Sequence, residues 1–149
     1  GLAQGATVMS WRGMEGGIAA ARAAHDVVMA PTSHTYFDYY QGARESEPRA
    51  IGGFIPVEKV FQFEPIPDEL TAEQASHILG GQGQLWGEFI PNRSHREYMA
   101  FPRAGALSEV LWSSPANRDF NEFRRRLSHH LKRLDAAGIN YRPLDAVSE

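Results

Sequence analysis

Asp26-Val27-Val28-Met29-Ala30-Pro31 is the stretch on which the fold turns. It is an unbroken apolar run stopped by a proline. So short a run fits a strand covered on both faces, as in a parallel sheet, and Pro31 cannot continue its ladder. Just before it, Gly13 to His25 carries Ile18 and Ala at 19, 20, 21, 23 and 24. Small residues at that density predict a helix made for close packing on a sheet. Thr7-Val8-Met9-Ser10-Trp11 reads as the strand that precedes this helix. Downstream, Gly83-Gln84-Leu85-Trp86-Gly87 is the third expected strand, supported more by its context than by propensity.

Residues 31–82 form a long excursion between the second and third strands. A polar, aromatic loop (His34 to Tyr40) leads into a charged stretch, Arg44 to Arg49. Val57 to Phe63 is too irregular to assign. Pro65 and Pro67 then precede a short helix whose start is marked by Thr71 and Gln74 at capping-box spacing; Gly80-Gly81 is expected to end it. The last third reads as two helices. Ser94 to Trp112 is the first, with Pro102 kinking it or lying where a lost hydrogen bond is tolerated. Phe120, Phe123, Leu127, Leu131 and Leu134 form the amphipathic stripe of the second. Gly138 closes it, and 139–149 is a polar C-terminal tail.

Composition narrows the classes. The 149 residues are 42% hydrophobic and 11% aromatic, with 15 basic and 18 acidic side chains. A formal charge of −3 gives no general attraction to nucleic acid or anionic membrane. Eight Phe, five Tyr and three Trp exclude wholesale disorder. The absence of cysteine removes disulfide scaffolds, thiolate metal sites and a cysteine nucleophile. No apolar run approaches the roughly 18 residues of a membrane span. The chain begins Gly-Leu-Ala-Gln, which leads to the expectation that it is cut from a longer protein.

A strand–helix–strand–excursion–strand–helix order implies α/β architecture with parallel strands. A (β/α)8 barrel takes about 250 residues, about 31 per unit. On that count the chain is the C-terminal portion of a TIM barrel, about three βα units plus a C-terminal helix. An open doubly wound sheet is the competing architecture. Three strands alone leave exposed edges, so self-association or the remainder of a barrel is expected as a partner.

In either fold the C-terminal ends of the strands face the ligand. Trp11 ends the first strand, His34, Tyr36 and Asp38 follow the second, and Trp86 and Glu88 end the third. Two indoles, a phenol and two carboxylates on one rim suit a sugar. Indole faces stack on the apolar C–H face of a pyranose, and carboxylates accept hydrogen bonds from its hydroxyls. Burial of Trp11 and Trp86 in the core is the competing reading.

Five segments carry a family resemblance. They are Val8-Met9-Ser10-Trp11-Arg12-Gly13, His25-Asp26-Val27-Val28-Met29-Ala30-Pro31, Tyr36-Phe37-Asp38, Gly81-Gln82-Gly83-Gln84-Leu85-Trp86-Gly87-Glu88 and Glu97-Tyr98-Met99-Ala100-Phe101-Pro102-Arg103. In this order and spacing, from about residue 5 to 134, the chain resembles glycoside hydrolase family 20, the β-N-acetylhexosaminidases. The resemblance implies a (β/α)8 barrel over residues 1–138 and a substrate-assisted retaining mechanism, one of the exceptions to the two-carboxylate scheme. It further implies that Tyr36 hydrogen-bonds the acetamido oxygen of the substrate. Trp11 and Trp86 would wall the pocket around the acetamido methyl, and Asp38 and Glu88 would hold the 4- and 6-hydroxyls of a terminal N-acetylhexosamine. The expected setting is periplasmic or secreted.

Two departures accompany it. The family's adjacent Asp-Glu pair, which supplies the general acid/base, and a substrate-binding arginine lie upstream of the matching segment. Many members also carry a Trp at the register of Ile51. Asp68-Glu69 is an adjacent pair, but it precedes a helix cap away from any strand end, and it reads as helix-start charge. Arg12 and Arg103 read as structural, and Arg124-Arg125-Arg126 with His129-His130 as a solvated helix face. His34 either touches ligand or braces its loop. His25-Asp26, at the opposite end from the rim, reads as a structural hydrogen-bonding pair. Nothing in the sequence calls for a metal or cofactor. A non-catalytic sugar-binding relative and a structural or interaction domain are the alternatives to an enzyme.

Overall fold

The computed structural model describes residues 1–144. Its centre is a parallel sheet in the order β1 (Val8–Ser10), β2 (Val27–Met29), β3 (Ile78–Gly81). β2 lies in the middle with Val27 and Met29 fully buried, as its apolar run requires. Helix α1 (Glu15–Arg22) crosses from β1 to β2 and packs on both. The approach is close: a Cβ on Gly17 would meet Met29 Sδ at 2.7 Å. Ser10 fixes the entry to this helix, donating from Oγ to the Gly13 carbonyl (2.7 Å) and accepting from the Gly17 N–H (2.9 Å).

The third strand is not where the sequence places it. β3 occupies Ile78–Gly81, and the stretch 83–87 comes after it. Gly80-Gly81 is part of the strand rather than a helix stop. The helix α3 (Ala72–Ala75) has the expected Thr71–Gln74 capping box but ends at Ser76. Both glycines answer to the sheet. Val27 pairs with Ile78 and Val28 with Gly80, so the ladder slips past Leu79, and Gly80 takes φ 143° there. Gly81 lies where a Cβ would stand 3.1 Å from Phe63 and 3.2 Å from the Met29 carbonyl.

The excursion contains α2 (Val57–Phe61), left unassigned by the sequence. Val57, Val60 and Phe61 do have helical i, i+3, i+4 spacing, over too few residues to register. The single expected helix 94–112 is two, α4 (Arg93–Ala100) and α5 (Arg103–Trp112), separated at Phe101-Pro102. Proline has no N–H to give the preceding turn, so it starts the second helix instead of bending the first. α6 (Phe120–Ala136) follows, capped by Asp119, which accepts from the Glu122 N–H at 2.8 Å. Phe123, Leu127, Leu131 and Leu134 of its stripe are buried as expected, and Phe120 is half-buried. Phe123 stacks on Phe61 of α2 at 5.0 Å, and Phe123 and Leu127 join the core beneath α5. Burying such a side chain is worth about 1.5–3 kcal/mol.

The described part of the polar tail, 139–144, is anchored. The Asn140 N–H donates to Glu97 (3.0 Å), and Arg142 pairs with the buried Glu47 (2.5 Å). Residues 145–149 of that tail lie outside the described residues. His25 and Asp26 do not pair with each other: Asp26 meets His77 Nδ1 at 3.1 Å. Glu69 of the Asp68-Glu69 pair bridges to Arg22 at 2.7 Å, beside α1.

A sugar-sized cavity at the strand ends

The rim forms because the ladder is prolonged past the strands. The Gln84 N–H donates to the Thr35 carbonyl and the Phe37 N–H to the Gln84 carbonyl, both at 2.7 Å. Tyr36 and Gln84 thereby pair as an isolated parallel bridge. On the other side, the Thr32 N–H donates to the Trp11 carbonyl at 2.8 Å. Three post-strand segments are therefore tied into one floor.

On this floor lies a cavity of about 490 Å³, within the range of small-molecule sites. Trp11, Tyr36, Asp38, Trp86 and Glu88 all line it. Trp11 and Trp86 are 43% and 51% exposed, so neither is a core residue. Tyr36 is only 7% exposed, its ring held 5.5 Å from that of Tyr39. Its hydroxyl has no hydrogen-bond partner among the described residues.

Glu88 reaches the cavity by a route different from strand alternation. Trp86 is extended and precedes a 3-10 turn, Gly87–Phe89, so Trp86 and Glu88 are not i, i+2 neighbours on a strand face. The turn still leaves both facing one space.

Asp38 is 5% exposed, and its Oδ1 is buried without a hydrogen-bond partner. Burial pushes its carboxyl up to about 6, and the Glu88 charge adds to this, while its own backbone N–H and Arg103 pull the other way. The carboxylate is thus underused within the described residues, and a hydroxyl-bearing ligand would satisfy it.

Arg103 is structural, as the sequence suggests, but in direct service of this site. Nε donates to the Met99 carbonyl (3.2 Å), Nη1 to those of Tyr39 and Ile55 (both 3.0 Å), and Nη2 to those of Phe37 (2.5 Å) and Met99 (2.7 Å). Burial lowers its pKa, with Glu47 and Asp38 opposing, and the guanidinium remains charged at neutral pH. Arg12 lies over the Trp11 ring at 4.8 Å. His34 is outside the cavity. It stacks on Phe63 (5.6 Å), with Ser33 Oγ 2.8 Å from its Nδ1, and so braces the loop. On α6, Arg125 pairs with Glu122 and Arg126 with Glu109, remote from the rim.

Met9 and Tyr39 also line the cavity without having been singled out from the sequence. Met9 lies in β1 two residues before Trp11, which follows the strand, and that period-2 spacing was the available signal. Ile51 lines the cavity as well.

Residues 1–115 match the catalytic domain of glycosyl hydrolase family 20. The β-hexosaminidase of Porphyromonas gingivalis is 49% identical over 142 residues, which make up 95% of this chain and 18% of that protein. The exo-β-N-acetylglucosaminidase of Vibrio harveyi, solved in complex with N-acetylglucosamine, superposes with a TM-score of 0.81 at 36% identity, over 92% of this chain and 22% of that one. The β-hexosaminidase of Streptomyces plicatus has the same fold, with a TM-score of 0.84 at 24% identity over 99% of this chain and 31% of its own. The chain therefore spans from 18% to 31% of the length of these relatives. A match to the family's catalytic domain across most of the sequence, on a matching fold, means that the chain belongs to glycosyl hydrolase family 20.

Proposed function

We propose that this chain is the C-terminal part of a (β/α)8 catalytic barrel in an exo-β-N-acetylhexosaminidase. The enzyme would remove terminal β-linked N-acetylglucosamine or N-acetylgalactosamine from a glycan. The observation that carries this reading is the convergence of Trp11, Tyr36, Asp38, Trp86 and Glu88 on one cavity at the strand ends. The partial barrel is supported by parallel strands whose outer edges, on β1 and β3, are unpaired among the described residues, and by the greater length of the relatives. Open edges of this kind seek the rest of a sheet or a second copy.

The chemistry follows from the substrate as much as from the protein. The 2-acetamido oxygen attacks the anomeric carbon, and the bond to the aglycone oxygen breaks. That oxygen takes a proton from an acid/base group which the family resemblance places upstream of these residues. The resulting oxazolinium is opened by water, which attacks the anomeric carbon and returns a proton to the same group. Two inversions leave the configuration retained.

Within this scheme the cavity's residues bind and orient. The Tyr36 hydroxyl donates to the acetamido oxygen, holding it near the anomeric carbon in line for attack. Trp11 and Trp86 cover the acetamido methyl and exclude water. Asp38 and Glu88 accept hydrogen bonds from the 4- and 6-hydroxyls, which positions the ring.

The test is hydrolysis of an aryl β-N-acetylglucosaminide by the complete protein, with the product anomer followed by proton NMR. The β-anomer should appear first and then mutarotate. Initial release of the α-anomer would overturn the mechanism. Clear turnover by residues 1–149 alone would overturn the division of roles, because the acid/base is assigned elsewhere.

A further inference from the structure

Beyond Glu88 lies a second cavity of about 440 Å³, and Glu88 is the wall that the two share. Pro48, Phe89 and Pro91 give it an apolar lining, and Arg49 and His95 supply polar groups. The Arg49 guanidinium lies over the Phe89 ring, 4.6 Å from its centroid. Stacking fixes a guanidinium without consuming its N–H donors. Arg49 also has no carboxylate partner among the described residues, whereas nearby Arg93 pairs with Glu97 and Arg142 with Glu47. His95 Nε2 is buried with no hydrogen-bond partner. A buried polar atom left unpaired is costly, so a ligand hydroxyl reaching it would recover that cost.

We propose that this second cavity is a subsite for an acidic sugar, a ring carrying a carboxylate or a sulfate, within the glycan whose terminal residue occupies the first cavity. The inference rests on the hexosaminidase reading given above and names the substrate class. Arg49 receives the anionic group, with its N–H donors free for a bidentate contact. Phe89 and the two prolines cover the C–H face of the ring, and His95 Nε2 meets a hydroxyl. Burial lowers the pKa of His95, so its imidazole is neutral at pH 7 and adds no second charge. Passage over Glu88 links the two subsites, and the exposed glutamate sets them apart without closing either.

The experiment compares kcat/KM of the complete protein on three β-N-acetylglucosaminides. One ends in a neutral glucose unit, one in a glucuronate and one in a 6-sulfated glucose; an aryl glycoside tests the underlying hydrolysis. The acidic substrates should be preferred over the neutral one by about tenfold at low salt, and the preference should shrink as ionic strength rises. The uronate and sulfate arms show which anion fits. Arg49→Gln should abolish the acidic-to-neutral ratio, and Arg49→Lys should keep part of it, because a point charge replaces the fork. Equal rates on acidic and neutral disaccharides, or a preference that survives Arg49→Gln, would overturn the subsite. Failure to cleave even the aryl glycoside would overturn the hexosaminidase reading itself, and the subsite with it.

Discussion

Arg103 secures Asp38 through the main chain on either side of it rather than through its carboxylate. The guanidinium donates to the Phe37 carbonyl at 2.5 Å and to the Tyr39 carbonyl at 3.0 Å, and no ion pair joins the two side chains among the described residues. The peptide that carries Asp38 is held from both flanks, and the carboxylate is left for a ligand. Arg103→Met would fill the space but leave the carbonyls of Phe37, Tyr39, Ile55 and Met99 without this donor. Each buried orphan costs about 1–3 kcal/mol, so the variant should lose at least about 3 kcal/mol in denaturant unfolding of the complete protein. Arg103→Lys should lose nearly as much, since three donors cannot reproduce a planar fork of five. A cost under about 1 kcal/mol for either variant would exclude the clamp.

Asp38 carries its own stability signature. Its folded-state carboxyl is pushed up to about 6 from an ordinary 3.8, chiefly by burial. In that situation the folded state holds a proton that the unfolded chain releases. The stabilisation is present below about pH 4 and is lost as pH rises to about 6, after which the cost is constant. Asp38→Asn removes the titration. The variant should therefore match the wild type near pH 4 and gain on it from pH 4 to 6, and its higher Tm should then hold steady up to pH 8. Melting curves of the unliganded protein across that range decide it, and a gap that narrows with rising pH would reverse the sign.

Some of this was legible in the chain and some was not. β2 was plain because Val27, Val28 and Met29 are apolar without interruption and Pro31 stops them. β3 was hidden because Gly80-Gly81 has the look of a helix terminus, whereas Gly80 takes a positive φ where the ladder slips and Gly81 lets Phe63 and the Met29 carbonyl approach the strand. Proximity of that kind is a tertiary fact, invisible to propensity. Tyr36 and Asp38 could be placed on the rim from their position after β2, and the family resemblance supplied their proposed roles. Tyr39 carries no chemistry that marks it and enters the site only through geometry, while Met9 was marked only by its two-residue spacing from Trp11. Arg49 lay in a charged stretch, and only the fold shows that its guanidinium lies over Phe89 with no carboxylate partner among the described residues.

Trp86 and Glu88 should fail in different ways. Trp86 is half exposed, so Trp86→Ala should fold with little loss of stability. It would open the wall proposed to cover the acetamido methyl, and the preference for N-acetylated over plain glucosides should fall. Glu88→Gln keeps the shape but weakens a charge-assisted hydrogen bond worth about 1.5–3 kcal/mol, a loss of about 10–150-fold in kcat/KM. Kinetics on paired N-acetyl and 2-hydroxy aryl glycosides separate the two effects. Unchanged kinetics for a folded Glu88→Gln variant would remove Glu88 from the binding site.

Tyr36 offers the sharpest discrimination. Its ring is 7% exposed and packed near Tyr39, while its hydroxyl has no partner among the described residues and the residue lines the cavity. Tyr36→Phe removes one oxygen and leaves the ring, so the melting temperature of the complete protein should barely move. If that hydroxyl aligns the acetamido oxygen for attack, the loss falls on kcat, by roughly 10². KM should change far less, because the hydroxyl is proposed to hold the oxygen in line for attack rather than to supply most of the binding. A tyrosine that only packs its loop would give near-normal turnover with the same unchanged fold. Steady-state kinetics of Tyr36→Phe on an aryl β-N-acetylglucosaminide distinguish these outcomes, and a fall in kcat of less than about threefold would take the hydroxyl out of the reaction.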